Sequence, residues 1–204
     1  DLFIRVYDVW SIIITGDVSS SSVRFNVRDK NFFGTGHQFQ DTYNQNFVSV
    51  KSSNSAEYYI PNIYNTFINS TVRYSLDENR NYVEGVSLNR PFYSALVSWA
   101  GGISFQQQLN RELLTDFDSS HFMQTYKSNT QDYWLGRAWR IFNGKTENQS
   151  TTNLISSFRY NRTDYLQRAE SRLDTLNLHP SKEFYLADVG ISKRQYKQDN
   201  YIFR

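Results

Sequence analysis

The stretch VRFNVRDKNFFGTGHQF, residues 23–39, decides the fold class that this sequence predicts. Val23, Phe25 and Val27 occupy every second position, as in an extended strand with one apolar face. The intervening side chains are polar: Arg24, Asn26 and Arg28. This strand therefore favours a sheet with one apolar and one hydrophilic surface.

A compact turn follows this strand. The side chains of Asp29 and Asn31 can hydrogen-bond the local backbone, which is a common way to initiate a turn. Gly34 and Gly36 allow positive φ at no steric cost. Phe33 lies between these two pairs. We expect a hairpin here, and the same alternation of strands and turns recurs along the chain.

The composition is compatible with two classes of β-protein. Apolar residues make up 39% of the 204 residues, and no run of eighteen apolar residues predicts a membrane-spanning helix. Aromatic residues reach 17%. A membrane β-barrel needs apolar residues only at alternate strand positions, together with aromatic girdles and a polar interior. Composition alone favours the other class, a tyrosine-rich soluble β-protein.

The sequence lacks the residues of an enzyme site. Net charge is +2 without a basic stripe, so nucleic acid is not an expected partner. The absence of Cys excludes disulfides and thiol chemistry. His37, His121 and His179 lie far apart and have no neighbour at metal-ligand spacing. We predict no catalytic residues, no cofactor and no metal site.

The strand predicted at residues 95–108 is the clearest indication of a membrane barrel. Large apolar residues lie on one face and small or polar residues on the other. A soluble barrel fills its interior with bulky side chains, whereas a hydrated interior suits this second face. The apolar residues are Val97, Trp99, Ile103 and Phe105; their polar counterparts include Ser98, Ser104 and Gln106.

Extending this alternation to the rest of the chain gives two predicted surfaces. The residues predicted to face lipid or an interface girdle are Ile68, Val72, Tyr74, Val97, Trp99, Ile103, Phe105 and Trp139. The residues predicted to face a polar lumen are Arg24, Arg28, Arg73, Ser98, Ser104, Gln106 and Arg159. Further girdle candidates are Trp10, Trp134, Tyr82, Tyr133 and Tyr185. Glu84 and Asp188 are candidates to pair with Arg24, Arg28, Arg73 or Arg159 across the lumen.

About eight to ten strands are predicted in one antiparallel meander. The first strand is expected at residues 4–15, with Trp10, Ile12 and Ile14 on one face. The connections are predicted as a turn at 16–22, a polar loop at 49–57, a short helix within 110–120 and a long loop at 163–182.

The turn region resembles a signature near the start of the barrel in the bacterial surface antigen, or BamA/TamA-like, superfamily of outer-membrane assembly factors. The residues that carry the resemblance are Asp29, Asn31, Phe33, Gly34, Gly36 and His37. The preceding residues 6–12 are similar to the family's approach to its first barrel strand. The later sequence Leu88, Arg90, Pro91 and Phe92 resembles a strand-and-turn element of many members.

This resemblance implies an all-β fold, an antiparallel up-and-down transmembrane barrel of which residues 1–204 form the N-terminal portion. Residues 1–8 are then the possible tail of a preceding periplasmic repeat. The implied function is insertion of other proteins into the outer membrane of a Gram-negative bacterium, or translocation across it. It implies a seam at the strand bearing Trp10, Ile12 and Ile14, which would add client strands through unpaired backbone groups.

The implied partners are membrane lipids, client outer-membrane proteins and accessory lipoproteins. The sequence departs from the family in two respects: it holds material for little more than half of a sixteen-stranded barrel, and it lacks the family's Val-Arg-Gly-Phe/Tyr loop motif. Two other functions stay open from the residues alone. One is a passive outer-membrane pore or transport barrel, and the other is a soluble secreted β-protein that binds a glycan or lipid.

Overall fold

Ten antiparallel strands form a single sheet in the computed structural model, which describes residues 10–94, 97–115, 120–143, 150–168 and 180–195. Each strand pairs with the next one in sequence. The all-β, up-and-down arrangement predicted from the sequence is confirmed. The strands are β1 (Ile12–Val18), β2 (Ser22–Phe32), β3 (His37–Asn46), β4 (Lys51–Ile60), β5 (Asn69–Leu76), β6 (Tyr82–Arg90), β7 (Trp99–Thr115), β8 (His121–Asn143), β9 (Ser150–Gln167) and β10 (Lys182–Gln195).

The sheet is open over the part of the chain that the structure describes. Within those residues β1 pairs only with β2, and β10 pairs only with β9. A short 3₁₀ turn at Ile63–Asn65 lies between β4 and β5. None of the described segments is a helix long and apolar enough to span a membrane. The predicted tail at residues 1–8 lies outside the described residues.

Asn and Asp side chains build the hairpin turns. The Asp77 carboxylate accepts hydrogen bonds from the backbone N–H groups of Asn79 and Asn81, both at 2.8 Å. Asn46 accepts from the N–H of Val48 at 2.9 Å in the turn between β3 and β4. These local bonds satisfy backbone donors where the strand ladder stops.

The strand register defines two faces, which we call the apolar face and the polar face. Directly paired residues lie on the same face, and alternation then assigns the rest of each strand. Val27 pairs with Ile14 on the apolar face. Arg28, one residue further, lies on the polar face and pairs with Gln40. Every strand therefore contributes to both surfaces.

Four predicted loops or turns are wrong in whole or in part. Gly16 to Val18 belong to β1, so the first turn is shorter than predicted. The predicted polar loop at 49–57 is mostly β4, which is hydrogen-bonded to β3 and β5 on its two sides. The predicted short helix begins in β7, which continues to Thr115. The predicted loop at 163–182 begins within β9, which ends at Gln167.

The second part of the sheet is built from much longer strands than the first. Strands β1 to β6 have 7 to 11 residues, whereas β7 to β10 have 14 to 23. Beyond the last residue paired with β6, Leu109, strand β7 continues against β8 alone. The β7–β8 hairpin therefore projects past the edge of the shorter strands.

The buried residues lie mainly on the polar face, above all along β8. Tyr126, Ser128 and Asp132 are 2%, 1% and 9% exposed, respectively, and all three lie on that face. Phe92 leaves the end of β6 and packs against Gly136 of β8. Side chains of adjacent strands and of the segment after β6 therefore cover part of the polar face, as Trp134 covers Gly102 and Phe92 covers Gly136.

Candidate functional site

The large side chains of the apolar face are exposed. Trp99, Ile103 and Phe105 of β7 are 47%, 40% and 42% exposed. Ile103 and Phe105 pair with Leu88 and Val86 of β6, which are also apolar. Val72 and Tyr74 of β5 and Trp139 of β8 lie on this face and are exposed as well. The described residues provide no second layer over them, since they form one sheet.

Three of the residues assigned to a face from the sequence lie outside the strands. Ile68 precedes β5, and its carbonyl accepts a hydrogen bond from the N–H of Ile63 at 2.8 Å. Val97 and Ser98 precede β7, which begins at Trp99 rather than at residue 95. Val97 is buried at 8% exposure, and Ser98 is exposed. Their placement differs from the strand geometry on which the prediction depended.

The apolar band crosses the sheet diagonally. One row of paired residues starts at Ile14 and Val27 but becomes polar at Glu84, Gln107 and Asn129. A second row, displaced along the strands, is apolar from β6 to the other side of the sheet: Leu88, Ile103, Tyr133, Tyr160 and Tyr185. On β5 and β4 the same row continues through Ser70 to Ile60. The apolar stretch thus shifts steadily along the strands from β1 to β10.

The size of this shift gives an angle between the band and the strands. The row through Phe25, the middle of the β2 stretch, crosses β7 at Leu109, and the row through Val189 of β10 crosses it at Trp99. At about 3.3 Å per residue and about 4.8 Å between strands, the displacement is about 33 Å over a width of about 38 Å. If the band lies parallel to the membrane plane, the strands tilt by about 40° from the membrane normal, which is within the range of membrane barrels.

Tyrosines mark one boundary of the band on β8 to β10. Tyr133, Tyr160 and Tyr185 are paired neighbours whose rings lie 6.2 Å and 5.0 Å apart. The Tyr160 hydroxyl donates to the Glu183 carboxylate at 2.9 Å, in the adjacent polar row. This orientation, with the ring in the apolar band and the hydroxyl at its edge, is typical of an interface girdle.

Tryptophans and an arginine mark the other boundary. Trp99 pairs with Arg137, and Trp139 follows on the same strand. The Arg137 guanidinium carbon lies 4.6 Å from the centre of the Trp99 ring and 5.4 Å from that of Trp139. Trp134, a girdle candidate from the sequence, is placed differently, because it lies on the polar face over Gly102.

Hydrogen bonds between strands cover the polar face of β2 and β3. The Arg24 Nε donates to Asn44 Oδ1 at 2.9 Å, and the Arg28 Nε donates to Gln40 Oε1 at 2.9 Å. Asn26 donates to the Thr42 hydroxyl at 2.7 Å between them. The long arginine side chains therefore lie along the sheet and leave polar groups facing away from it.

Charged residues continue this network on the later strands. Arg159 of β9 forms a two-pronged ion pair with Asp132 of β8, with its Nε 2.7 Å from Asp132 Oδ1. Arg73 of β5 hydrogen-bonds Gln106 of β7, which it reaches across Gly85 of the intervening strand.

The predicted pairing of Glu84 and Asp188 with lumen arginines is wrong. Glu84 lies on the apolar face beside Tyr74, so it faces away from the arginines. Asp188 accepts a hydrogen bond from the Ser157 hydroxyl. The carboxylate that does pair with Arg159 belongs to Asp132.

A polar pair interrupts the apolar face near the first strands. Asp41 of β3 lies between Phe39 and Tyr43 on this face, in the same row as Val27. Its carboxylate accepts a hydrogen bond from the Asn54 side chain of β4 at 3.0 Å. A carboxylate in hydrocarbon is costly even when hydrogen-bonded, and such residues commonly have a functional role.

The first strand exposes the residues assigned to a seam. Ile12 and Ile14 are 48% and 69% exposed and pair with Asp29 and Val27 of β2. Trp10, just before β1, is 88% exposed. All seven residues of β1 are exposed. The strand is held by β2 alone within the described residues, so its second edge is open to another strand.

The turn between β2 and β3 has the local geometry expected from its sequence. The Asp29 carboxylate accepts the N–H of Asn31 at 2.9 Å, and the Asn31 side chain accepts the N–H of Gly36 at 2.7 Å. Gly34 and Gly36 have φ values of 74° and 76°, while Phe33 adopts 51° and is exposed. The hairpin closes tightly and shifts the register between Asp29 and Phe32.

The Arg-Pro-Phe element joins two loops at the same end of the sheet as this turn. The Arg90 guanidinium donates to the carbonyls of Thr66 and Trp99, so it connects the β4–β5 and β6–β7 loops. Tyr93 stacks on Phe67 with ring centres 3.9 Å apart. The element therefore holds this end of β5, β6 and β7 together.

Metal-ligating side chains do not cluster within the described residues. These residues contain no group of three or more His, Asp or Glu side chains that could hold a metal ion. A cleft of about 290 Å³ lies beside Arg73, and its lining includes Glu57, Gln106 and the hydroxyls of Thr71, Ser87 and Ser104, together with Val86 and Phe105. The polar groups can bind water and ions, and they arrange the polar face as a hydrated surface.

Comparisons with known proteins add no assignment: no family model matches the chain, and no curated protein or solved structure matches it either.

Proposed function

We propose that this chain is the N-terminal portion of an outer-membrane β-barrel. The observation that carries the proposal is the diagonal apolar band, which requires strands tilted by about 40° if it follows a flat bilayer. Membrane barrels tilt their strands by this amount in order to close. The polar face then lines a water-filled lumen.

The exposure pattern favours this proposal over a soluble β-protein. A soluble sheet buries its apolar face beneath a second layer, but here Leu135, Phe158 and Val189 are 57%, 50% and 72% exposed. The polar face has the buried residues instead. Lipid is the solvent that suits such an inside-out distribution.

Within this class, we propose that the barrel assists insertion or translocation of other outer-membrane proteins through a seam at β1. The resemblance of the β2–β3 turn to the assembly-factor superfamily supports this role. The open edge of β1 offers backbone groups to a client strand. The Asp41–Asn54 pair lies two strands away and would weaken lipid packing beside the seam, which favours this function over a passive pore.

Site-specific photo-crosslinking during client folding tests the seam. A photoreactive residue at Thr15 of β1 should cross-link to an incoming client barrel in vesicles that contain the full-length protein. The matched control is Thr71 of β5, which also lies on the polar face but is paired on both sides. Equal cross-linking from the two positions would contradict the seam.

Two further outcomes would favour the alternatives. Conductance in vesicles without any acceleration of client folding would indicate a passive pore. A protein that is monodisperse in buffer without detergent would indicate a soluble β-protein, and both membrane functions would then be wrong.

A further inference from the structure

We infer that Arg137, Trp99 and Trp139 form a binding site for the phosphate group of a membrane phospholipid on the outside of the barrel. The inference rests on the proposed function, because it requires that the apolar face contacts lipid. It adds a specific lipid site at one boundary of the band.

The first observation is that the Arg137 side chain lies beside two tryptophan rings. The Arg137 guanidinium lies 4.6 Å and 5.4 Å from the ring centres of Trp99 and Trp139, within the range of cation–π attraction. Both rings are exposed, at 47% and 41%. The guanidinium therefore lies beside both indoles, and Arg137 is itself exposed, so the group is accessible from outside the sheet.

The neighbouring rows provide no carboxylate for this cation. The row through Arg137 contains Trp99, Ser156 and Val189, and among the described residues the nearest row on each side on the apolar face contains no Asp or Glu. By contrast, Arg159 on the polar face of the next strand is paired with Asp132. A guanidinium on a membrane-facing surface needs an anion, and planar arginine matches phosphate with two parallel hydrogen bonds.

The position of the cluster selects a lipid phosphate. Along β8 the apolar face runs from Tyr133 through Leu135 to Trp139, so Arg137 lies near the boundary opposite the tyrosines. A headgroup held there would place its acyl chains along the exposed side chains of Leu135 and Phe158. Ser156, paired with Arg137, adds a hydroxyl next to the guanidinium. Free phosphate would gain nothing from the apolar surface.

Native mass spectrometry of the full-length protein tests this site. The protein is released from micelles that contain a fixed amount of palmitoyl-oleoyl phosphatidylglycerol, and bound lipid is counted. Arg137→Gln should reduce the apparent lipid affinity about tenfold, because the charge-assisted hydrogen bonds to the phosphate are lost. Arg137→Lys should retain part of the affinity, because the charge remains while the planar stacking is lost.

Arg140→Gln is the matched control. Arg140 lies on the same strand, three residues further, and is exposed on the polar face opposite Asn153. Its replacement should leave lipid binding unchanged. If Arg137→Gln binds phosphatidylglycerol as tightly as the wild type, or if Arg140→Gln lowers binding equally, the inference is wrong.

Two more outcomes separate this inference from its premises. Displacement of the lipid by an equal concentration of inorganic phosphate would overturn the choice of a lipid as the ligand. If the wild-type protein inserts into vesicles and Arg137→Gln does not lower its lipid affinity, only the lipid site is contradicted. A protein that neither inserts nor retains lipid contradicts the barrel as well.

Discussion

The two faces of this sheet share one backbone but differ in what their side chains contact. On the polar face, arginines, amides and hydroxyls bond one another between strands, as Arg28 does with Gln40 and Arg159 with Asp132. On the apolar face, large side chains such as Leu135 are exposed and have no covering layer among the described residues. The difference teaches that contacts between side chains on the polar face are made by hydrogen bonding, whereas the apolar face has no comparable network.

The same difference explains why hydropathy alone is uninformative for this chain. Each strand contributes residues to both the apolar and the polar face, so their hydropathies cancel. The mean hydropathy of the chain, −0.64, is that of a hydrophilic protein. The distribution appears only when residues are assigned to faces by the register. Substitutions at adjacent positions of one strand therefore test the comparison directly.

The largest expected effect comes from a charge placed on each face of β7. Ile103→Arg puts a guanidinium in the apolar band, and in a bilayer it should destabilise the fold by about 2–4 kcal/mol. Ser104→Arg places the same charge on the polar face opposite Asp132 and should change stability by less than about 1 kcal/mol. Urea unfolding in vesicles measures both. Similar losses from the two variants would break the distinction between the faces.

Close packing on the polar face gives the next largest effect. An added Cβ at Gly102 would overlap the Trp134 indole, so Gly102→Ala should cost about 1–3 kcal/mol. Gly190→Ala on the same face of β10 is the control, since nothing lies within 4 Å of its Cβ position. Thermal unfolding of both variants compares them, and equal transition temperatures would show that Trp134 does not lie over β7.

The ion pair on the polar face should contribute a smaller amount. Because the Arg159 side chain is 49% exposed, water screens its attraction to Asp132, and the coupling should be about 1 kcal/mol. A double-mutant cycle with Asp132→Asn and Arg159→Gln measures it. A coupling that vanishes at low salt would mean that the two side chains do not meet.

An effect of similar size is expected at the turn that keeps the two faces aligned. A register slip of one residue would exchange the faces of a strand, so this turn must hold its geometry. Gly36→Ala introduces a side chain at φ of 76° and should cost about 1 kcal/mol. Gln38→Ala, two residues further in β3, should be nearly neutral. The free energy of unfolding of each variant provides the check, and an unaffected Gly36→Ala would contradict the turn geometry.

Much of the sheet follows from alternation in the sequence. The β2–β3 hairpin, β5 and β6 are close to their predicted positions, because each has apolar residues on one face only. Strand β4 was not predicted, since residues 51–55 are polar on both faces and only the pairing with β3 and β5 makes them a strand. Likewise, Leu113 and Leu114 are consecutive, which suggested a helix, whereas β8 pairs with both.

The side-chain contacts of the candidate site could not be predicted without knowing the register between paired strands. The pairing of Arg159 with Asp132 joins residues 27 positions apart, and no local pattern indicates it. The position of Trp134 had a signal in the sequence, because it alternates with Tyr133 and Leu135 and therefore belongs to the opposite face. The Arg137 cluster likewise requires the pairing of β7 with β8 to bring Trp99 beside it.

Site-directed spin labelling in lipid nanodiscs tests the central claim most directly. The chain contains no Cys, so single cysteines can be introduced cleanly at Phe105 and Leu135 on the apolar face and at Gln106 and Thr130 on the polar face. We predict that labels on the apolar face are accessible to oxygen dissolved in lipid, and that labels on the polar face are accessible to a water-soluble nickel complex. Equal accessibility to the nickel complex at all four positions would contradict a lipid-facing apolar surface.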